Sequence, residues 1–245
     1  MMLTQMNSYH NKKLKISIEN VSKTYKDVDV LKDISIDVYE GEFVSILGPS
    51  GCGKSTIFNI ITQLTDYNSG MVNINGNYSY MYQKDLLLPY KTIIDNVSLP
   101  LVLKKEKKSK ARSMVKDYFE IFGLEGYEYK YPSELSGGMR QRANFLRTFI
   151  NSNDIMLLDE PFGALDSLTK TSMQKWLLEV KKKVNSTILL ITHDIDEAIM
   201  LSNRIYVISK KPSIVKKEFI IDNRNINQDN LENVIKLKKE IISLL

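Results

Sequence analysis

Eight consecutive residues, Gly48-Pro49-Ser50-Gly51-Cys52-Gly53-Lys54-Ser55, satisfy the pattern G-x-x-x-x-G-K-[ST], and Thr56 follows them. That layout suits phosphate chemistry. Glycines let the backbone curl so that successive N–H groups point inward at phosphate oxygens. A helix opening at Lys54 turns its positive end toward the same anion. Lys54 can then reach the β- and γ-phosphates, and Ser55 can offer its hydroxyl to Mg2+. The metal also needs a carboxylate. The apolar run Ile155-Met156-Leu157-Leu158 ends on Asp159, which can hold Mg2+ through water. The next residue, Glu160, can polarise a water for in-line attack on the γ-phosphate. Cys52, inside the loop, reads as a tolerated small residue, because its sequence neighbours include no base to make it a nucleophile.

These groups act only where secondary structure delivers them. Lys15 to Val21 and Ile34 to Val38 alternate like strands, and Phe43 to Leu47 is a short apolar run entering the glycine loop. The helix from Lys54 carries Ile57, Phe58, Ile60 and Ile61. Strand, glycine loop and helix in that order begin a βαβ unit. From about Thr92 to Ile150 the pattern is helical. Lys105 to Phe122 has Ala111, Met114, Val115, Tyr118 and Phe119 at helical spacing, and Ser136 precedes a helix over Gly137 to Ile150. Then come a strand at Ile155 to Leu158, a helix at Leu168 to Lys183 and a strand at Thr187 to Ile191 just before His193. A helix at Asp194 to Ser202 and a strand at Arg204 to Ser209 complete the alternation. It predicts a mainly parallel sheet covered on both faces. In the tail, Asp229 and Glu232 are spaced as a capping box. Leu231, Val234, Ile235, Ile241, Ile242 and Leu245 form a stripe expected to pack on the domain itself.

Composition narrows the class. The chain has 245 residues, 43% hydrophobic and 26% charged, which is ordinary globular usage. One cysteine (Cys52) excludes a disulfide framework, and two histidines (His10, His193) exclude a His-rich metal centre. A reducing, cytoplasmic setting follows. No run reaches the roughly 18 uninterrupted apolar residues of a membrane helix. Met1 to Lys13 is polar and reads as a loose extension, not a secretion signal. The net charge of +5 permits nucleic acid, anionic lipid or nucleotide as a partner. Its lysine clusters, Lys104 to Arg112, Lys181 to Lys183 and Lys210 to Lys217, read as solvated surfaces. The first of them lacks the interleaved aromatics of a single-strand binding face.

Leu135-Ser136-Gly137-Gly138-Met139-Arg140-Gln141-Arg142 resembles the LSGGQ-type signature of ATP-binding-cassette (ABC) ATPases. Its order with Walker A (Gly48 to Thr56), Walker B (Ile155 to Glu160) and His193 is similar to that family across nearly the whole chain. The resemblance implies an α/β P-loop NTPase of RecA-like type. It has a mainly parallel core, an N-terminal antiparallel β subdomain and an inserted helical subdomain. The implied limits are an extension at 1–13, an ATPase domain at 14–222 with its helical part at about 90–150, and a C-terminal amphipathic helix at 223–245. Tyr25 matches the aromatic that stacks on adenine. Gln83 matches the Q-loop glutamine that senses Mg2+ and the attacking water, which adds it to Ser55 and Asp159 as a metal-site residue. His193 matches the switch histidine at the γ-phosphate. With Glu160, Gln83 and Lys54 it completes the expected catalytic set. Ser136, Gly137, Gly138 and Gln141 are implied to serve the ATP of a partner subunit in a head-to-tail homodimer, with Asp166 of the D-loop reaching across.

Finer features resemble importer subunits of the nitrate/sulfonate/taurine group, which also includes bicarbonate and thiamine-precursor transporters. These features are Asp159 to Asp166, Thr192 to Ala198, and Lys211-Pro212-Ser213 where that group has Arg-Pro-Gly. Ala143-Asn144-Phe145 departs from the usual small aliphatic run. The implied function is an ATP-hydrolysing subunit, peripheral on the inner face of the cell membrane. Its partners would be permease subunits, docking near Leu86 to Tyr90, and an extracytoplasmic solute-binding protein, with no nucleic acid. Two rival readings are the ATPase of an exporter or lipoprotein-extraction system, which Asn96 to Leu101 faintly resembles, and a nucleic-acid or ribosome-associated cassette. A nucleotide-gated structural protein is a third, opposed by Glu160 and His193.

Overall fold

The computed structural model describes residues 12–84, 86–152, 154–184, 186–221 and 231–245. Most of the 1–13 extension, with His10, and the capping residue Asp229 lie outside the described residues. The elements run β1 (Leu14–Tyr25), β2 (Val28–Tyr39), β3 (Phe43–Leu47), α1 (Lys54–Ile61), β4 (Ser69–Ile74), β5 (Tyr78–Met81), α2 (Ile93–Leu103), α3 (Lys108–Val115), α4 (Tyr118–Ile121), α5 (Gly137–Asn151), β6 (Ile155–Asp159), α6 (Ser167–Val184), β7 (Thr187–Thr192), α7 (Ile195–Leu201), β8 (Arg204–Ile208), β9 (Val215–Ile220) and α8 (Leu231–Leu244). They fall into two compact units, Met1–Gly76 with Thr187–Leu245, and Asn77–Ser186.

The first unit holds two sheet regions. β2, β1 and β4 form an antiparallel sheet with β1 in the middle. Ile34, Ile36 and Val38 turn one face of β2 into the core, which is the alternation the sequence predicts. The other region is parallel. β7 and β8 flank β3, and β9 closes antiparallel on β8. Every residue of β3, β7 and β8 is buried, as for parallel strands covered on both faces. Leu47 pairs with Thr192. Parallel strands in that register end at one edge, so the chain leaves β3 at Gly48 and β7 at His193 as neighbours.

Helix α8 packs in this unit. Val234, Leu237, Leu244 and Leu245 lie against a buried cluster that includes Ile241, Leu47, Ala198, Val207 and Phe219. The expected stripe is corrected in part. Ile235 and Ile242 are exposed, and Leu237 and Leu244 take the inward places. The spacing 234, 237, 241, 244 follows one helical face, whereas 235 and 242 fall on the next. Nothing is described of the Leu231 side chain.

In the second unit β5 and β6 are parallel, with Met81 opposite Leu158. Gln83 and Asp159-Glu160 therefore leave from a common edge. The core around them is aromatic. The Trp176 ring meets Phe122 and Phe145 edge-on at 5.7 and 5.4 Å. Arg112 grips both oxygens of Asp95 at 2.8 and 2.9 Å, tying α3 to α2. That contact first, and Lys108 with it, holds the Asp95 carboxyl down at about 2.

The single helix expected over Lys105 to Phe122 is two. The chain turns at Lys104 and Lys105, with Lys105 in the left-handed region at φ 71°, and the hydrogen bonding tightens to three-residue steps at Lys116 and Phe119, while Lys116 and Asp117 keep right-handed helical angles. The run Lys104-Lys105-Glu106-Lys107 has no apolar side chain to hold a helix on the core. Met114 is half exposed while Val115 and Phe119 are buried. Among the described residues no helix is long and apolar enough to cross a membrane.

Candidate active site

The glycine loop is built as its sequence demands. Gly51 and Gly53 take φ of 74° and 116°, in the left-handed region that favours glycine. A Cβ on Gly53 would stand 2.9 Å from Val30 Cγ1, and one on Gly48 would stand 2.7 Å from Ile208 Cγ1. Gly53 is the N-cap of α1, with no side chain capping that end. The helix start therefore presents unpaired backbone donors, the usual basis of an anion site. Lys54 is buried, and its Nζ donates to the carbonyls of Gly48 (2.7 Å) and Pro49 (2.9 Å). Ser50, Gly51 and Ser55 are exposed, Pro49 and Thr56 partly so, and Cys52 is buried. Ser213 braces the loop from behind. Its hydroxyl donates to the Cys52 carbonyl, while its backbone bonds Val30 and Lys32. In the sequence Ser213 stands out only as a departure from Arg-Pro-Gly, and nothing there signals this contact.

His193 is exposed at the end of β7. Asp194 caps α7, its Oδ1 accepting from Glu197 N at 3.0 Å. Tyr25 stands at the end of β1, half exposed, with Lys23 Nζ over its ring at 4.7 Å and its hydroxyl 3.3 Å from Thr65 Oγ1.

The second unit brings the carboxylates and the Q-loop together. Glu160 follows β6 with φ at 43°, left-handed for a residue with a side chain and so strained. Gln83 Nε2 donates to Glu160 Oε2 at 3.2 Å. Asp159 is 7% exposed, and Tyr80 Oη donates to its Oδ2 at 3.0 Å. Burial, and then the Asp159 charge, push the Tyr80 phenol up, so it stays a donor. Tyr80 is a residue the sequence reading missed. Its signal is the spacing Tyr80-Met81-Tyr82-Gln83, which places two tyrosines on one face of a strand running into the glutamine.

Ser136 caps α5, its Oγ accepting from Met139 N at 3.3 Å. Ser136 and Gly137 are exposed. Gly138 lies so close to α6 that a Cβ would be 3.1 Å from Thr169 Cγ2. Gln141 is the signature residue the resemblance assigns, with Ser136, Gly137 and Gly138, to the partner's ATP. It is buried, and its amide donates to the Pro161 carbonyl, because a residue one turn into α5 faces the loop after β6. Asp166 is held by Thr169, whose N–H bonds its Oδ1 at 3.0 Å. Hydrogen bonds from Thr169 keep the Asp166 carboxyl below its usual range.

A glycine loop opening a helix after a buried parallel strand, with carboxylates at another strand end, defines a P-loop nucleotide-binding protein. The family described as ABC transporter matches residues 31–163. The formylaminopyrimidine import ATP-binding protein ThiZ of Halalkalibacterium halodurans is 47% identical over 200 residues, 80% of each chain. The aliphatic sulfonates import ATP-binding protein SsuB of Bacillus cereus is 37% identical over 241 residues, 93% of this chain and 94% of that one. The dimeric structure of a post-hydrolysis state of the ATP-binding cassette MJ0796, bound to ADP and Pi, superposes with a TM-score of 0.71 at 32% identity. It covers 84% of this chain and 99% of that one. The chain belongs to the ABC transporter family, and it is an ATPase with the P-loop fold of that family's cassettes.

Proposed function

We propose that this chain is the ATP-hydrolysing subunit of an importer for a small solute of the nitrate, sulfonate, taurine, bicarbonate or thiamine-precursor class. The names of the ThiZ and SsuB relatives support import, and within that range the pyrimidine and sulfonate classes. One cluster carries the catalytic part of the reading: Glu160, strained at a strand end beside Asp159 and hydrogen-bonded by Gln83. Glu160 orients and deprotonates the attacking water. Gln83 holds Glu160, Lys54 neutralises charge on the β- and γ-phosphates, and His193 contacts the γ-phosphate. Ser55, Gln83 and Asp159 supply only oxygen donors, the set that suits Mg2+ shared with phosphates. Bound there, Mg2+ neutralises developing phosphate charge.

In this reading two copies pair head to tail on the inner face of the membrane. Residues 48–56 hold one ATP, and Ser136 with the Gly137 and Gly138 N–H groups closes on it from the second copy. Gln141 braces that helix start, and Asp166 reaches across. Closure on two ATP and reopening after hydrolysis drive the permease. A groove of about 410 Å³, lined by Tyr80, Tyr82, Leu86, Leu99, Pro100 and Leu103 with the cations Lys84, Lys104 and Arg147, supports docking of the permease. Beside it Leu86 and Tyr90 are exposed while Leu87 is buried. Asn96 secures the segment through hydrogen bonds with both backbone groups of Leu88. An extracytoplasmic binding protein delivers the solute. The test is reconstitution with a permease and a solute-binding protein of that importer class. ATP turnover should require Mg2+ and rise on adding the cognate solute. Turnover that ignores both, or none at all, would refute the reading.

Tyr25 has no charge to offer phosphate, so stacking on adenine sets its expected effect at roughly 1–3 kcal/mol. Tyr25→Ala should weaken ATP binding about five- to a hundred-fold, since about 1.4 kcal/mol is tenfold. Tyr25→Phe should bind nearly as wild type, because the ring survives and only the contact near Thr65 is lost. Calorimetric titration decides it. Equal affinity for wild type and Tyr25→Ala would leave the tyrosine as a strand-end residue only.

A further inference from the structure

We infer that Tyr80 is a positioning residue, tying the wall of the groove to the carboxylate that holds the metal. The inference rests on the assignment of Asp159 above, and deepens it. The Tyr80 ring stacks on Tyr82, with centroids 4.1 Å apart and planes 27° apart, and both rings line the groove. At its far end the Tyr80 hydroxyl donates to Asp159 Oδ2 at 3.0 Å. One rigid side chain thus touches both the surface offered to a partner and a buried carboxylate.

The register explains how. Tyr80 pairs with Leu157 and Met81 with Leu158, so β5 runs beside β6 toward Asp159. Three residues past Tyr80, Gln83 makes a second tie, to Glu160 at 3.2 Å. The strand entering the Q-loop therefore holds both carboxylates, one by a phenol and one by an amide. An aspartate has two side-chain torsions, and a donor on one oxygen restricts the direction of the other. Groups that orient a metal-holding carboxylate in this way typically change metal affinity by 10–100-fold when removed. A tyrosine that merely filled the core would contribute only its ring.

Tyr80→Phe separates the two roles, because it keeps the ring, the stack on Tyr82 and the groove wall. The full chain is saturated with the non-hydrolysable analogue AMPPNP and titrated with Mn2+, read by electron paramagnetic resonance. Tyr80→Phe should bind Mn2+ about tenfold more weakly, the lower end for such oriented ligands. AMPPNP affinity in EDTA should stay within twofold of wild type. In an Asp159→Asn background the same change should cost no further Mn2+ affinity. Tyr80→4-aminophenylalanine keeps a ring-borne N–H donor and should stay within threefold of wild type. It also gives a reading should the phenylalanine variant not fold. Unchanged Mn2+ affinity in Tyr80→Phe overturns the inference. So does an equal loss of AMPPNP binding in EDTA, an additive loss with Asp159→Asn, or a tenfold loss in the aminophenylalanine variant. A wild-type chain that takes up no Mn2+ with AMPPNP would instead sink the assignment of Asp159 itself.

Discussion

Replacing Glu160 by glutamine is expected to leave ATP binding intact and lower turnover by at least ~10²-fold, the lower range for loss of a general base. The change is nearly isosteric. The new side chain still has a carbonyl oxygen to accept the Gln83 amide, now 3.2 Å from Glu160 Oε2. The φ of 43° costs glutamine what it costs glutamate, so the fold is no more strained than before. What disappears is the basic oxygen. ATP should then persist uncleaved and hold two chains together, visible as a stable dimer on gel filtration. Fast hydrolysis by Glu160→Gln, eluting only as monomer, would remove Glu160 from the role of base and leave its strained backbone without a catalytic reason.

That strain marks the boundary between what local sequence encodes and what only three dimensions reveal. The glycine loop was legible because its chemistry is contiguous. A curl of N–H groups, a lysine and a hydroxyl must follow one another within eight residues, and they do. The buried strands β3, β6 and β7 were legible for a similar reason, since each is a short apolar run ending on Gly48, Asp159 or the segment before His193. Two of the edge strands were not. β4 and β9 are mostly exposed, so no apolar alternation advertises them. The split between α3 and α4 was hidden because Ala111, Val115 and Phe119 keep helical spacing across Lys116 and Asp117, whose backbone angles stay helical.

Side-chain direction was the other illegible quantity. Gln141 sits in the signature segment, where spacing does not say which way its amide points, and it turns inward to Pro161. Ile235 and Ile242 look like part of an inward stripe and lie one helical position off it. The tie from Tyr80 to Asp159 joins residues far apart in the chain, and it requires the parallel register of β5 on β6, which no spacing rule supplies. Serine 213 is the same case on the other unit, since its hydroxyl meets the Cys52 carbonyl only after β8 has brought it behind the glycine loop. Within each unit the residues whose types suit phosphate chemistry are thus announced by spacing, whereas those that would aim them are found by contact.

Mixing two inactive variants should restore activity, and this is the expected result that most directly tests the paired arrangement. Lys54→Ala removes an ammonium that the loop carbonyls of Gly48 and Pro49 hold in place. Ser136→Arg puts bulk and positive charge at the exposed start of α5, where the helix already presents its positive end. It also removes a cap of about 1 kcal/mol, so thermal unfolding of that variant is measured alongside. If each ATP lies between Lys54 of one copy and Ser136 of the other, a mixed dimer has one site with both defects and one with neither. Random pairing of equal amounts in a two-fold dimer makes about half the dimers mixed, so about a quarter of all sites are intact. Turnover per chain should approach that fraction of wild type if one intact site suffices, while each variant alone stays near zero. Were Ser136 to complete the site of its own chain, every site in the mixed dimer would carry one defect, and turnover of the mixture would equal the sum of the separate variants.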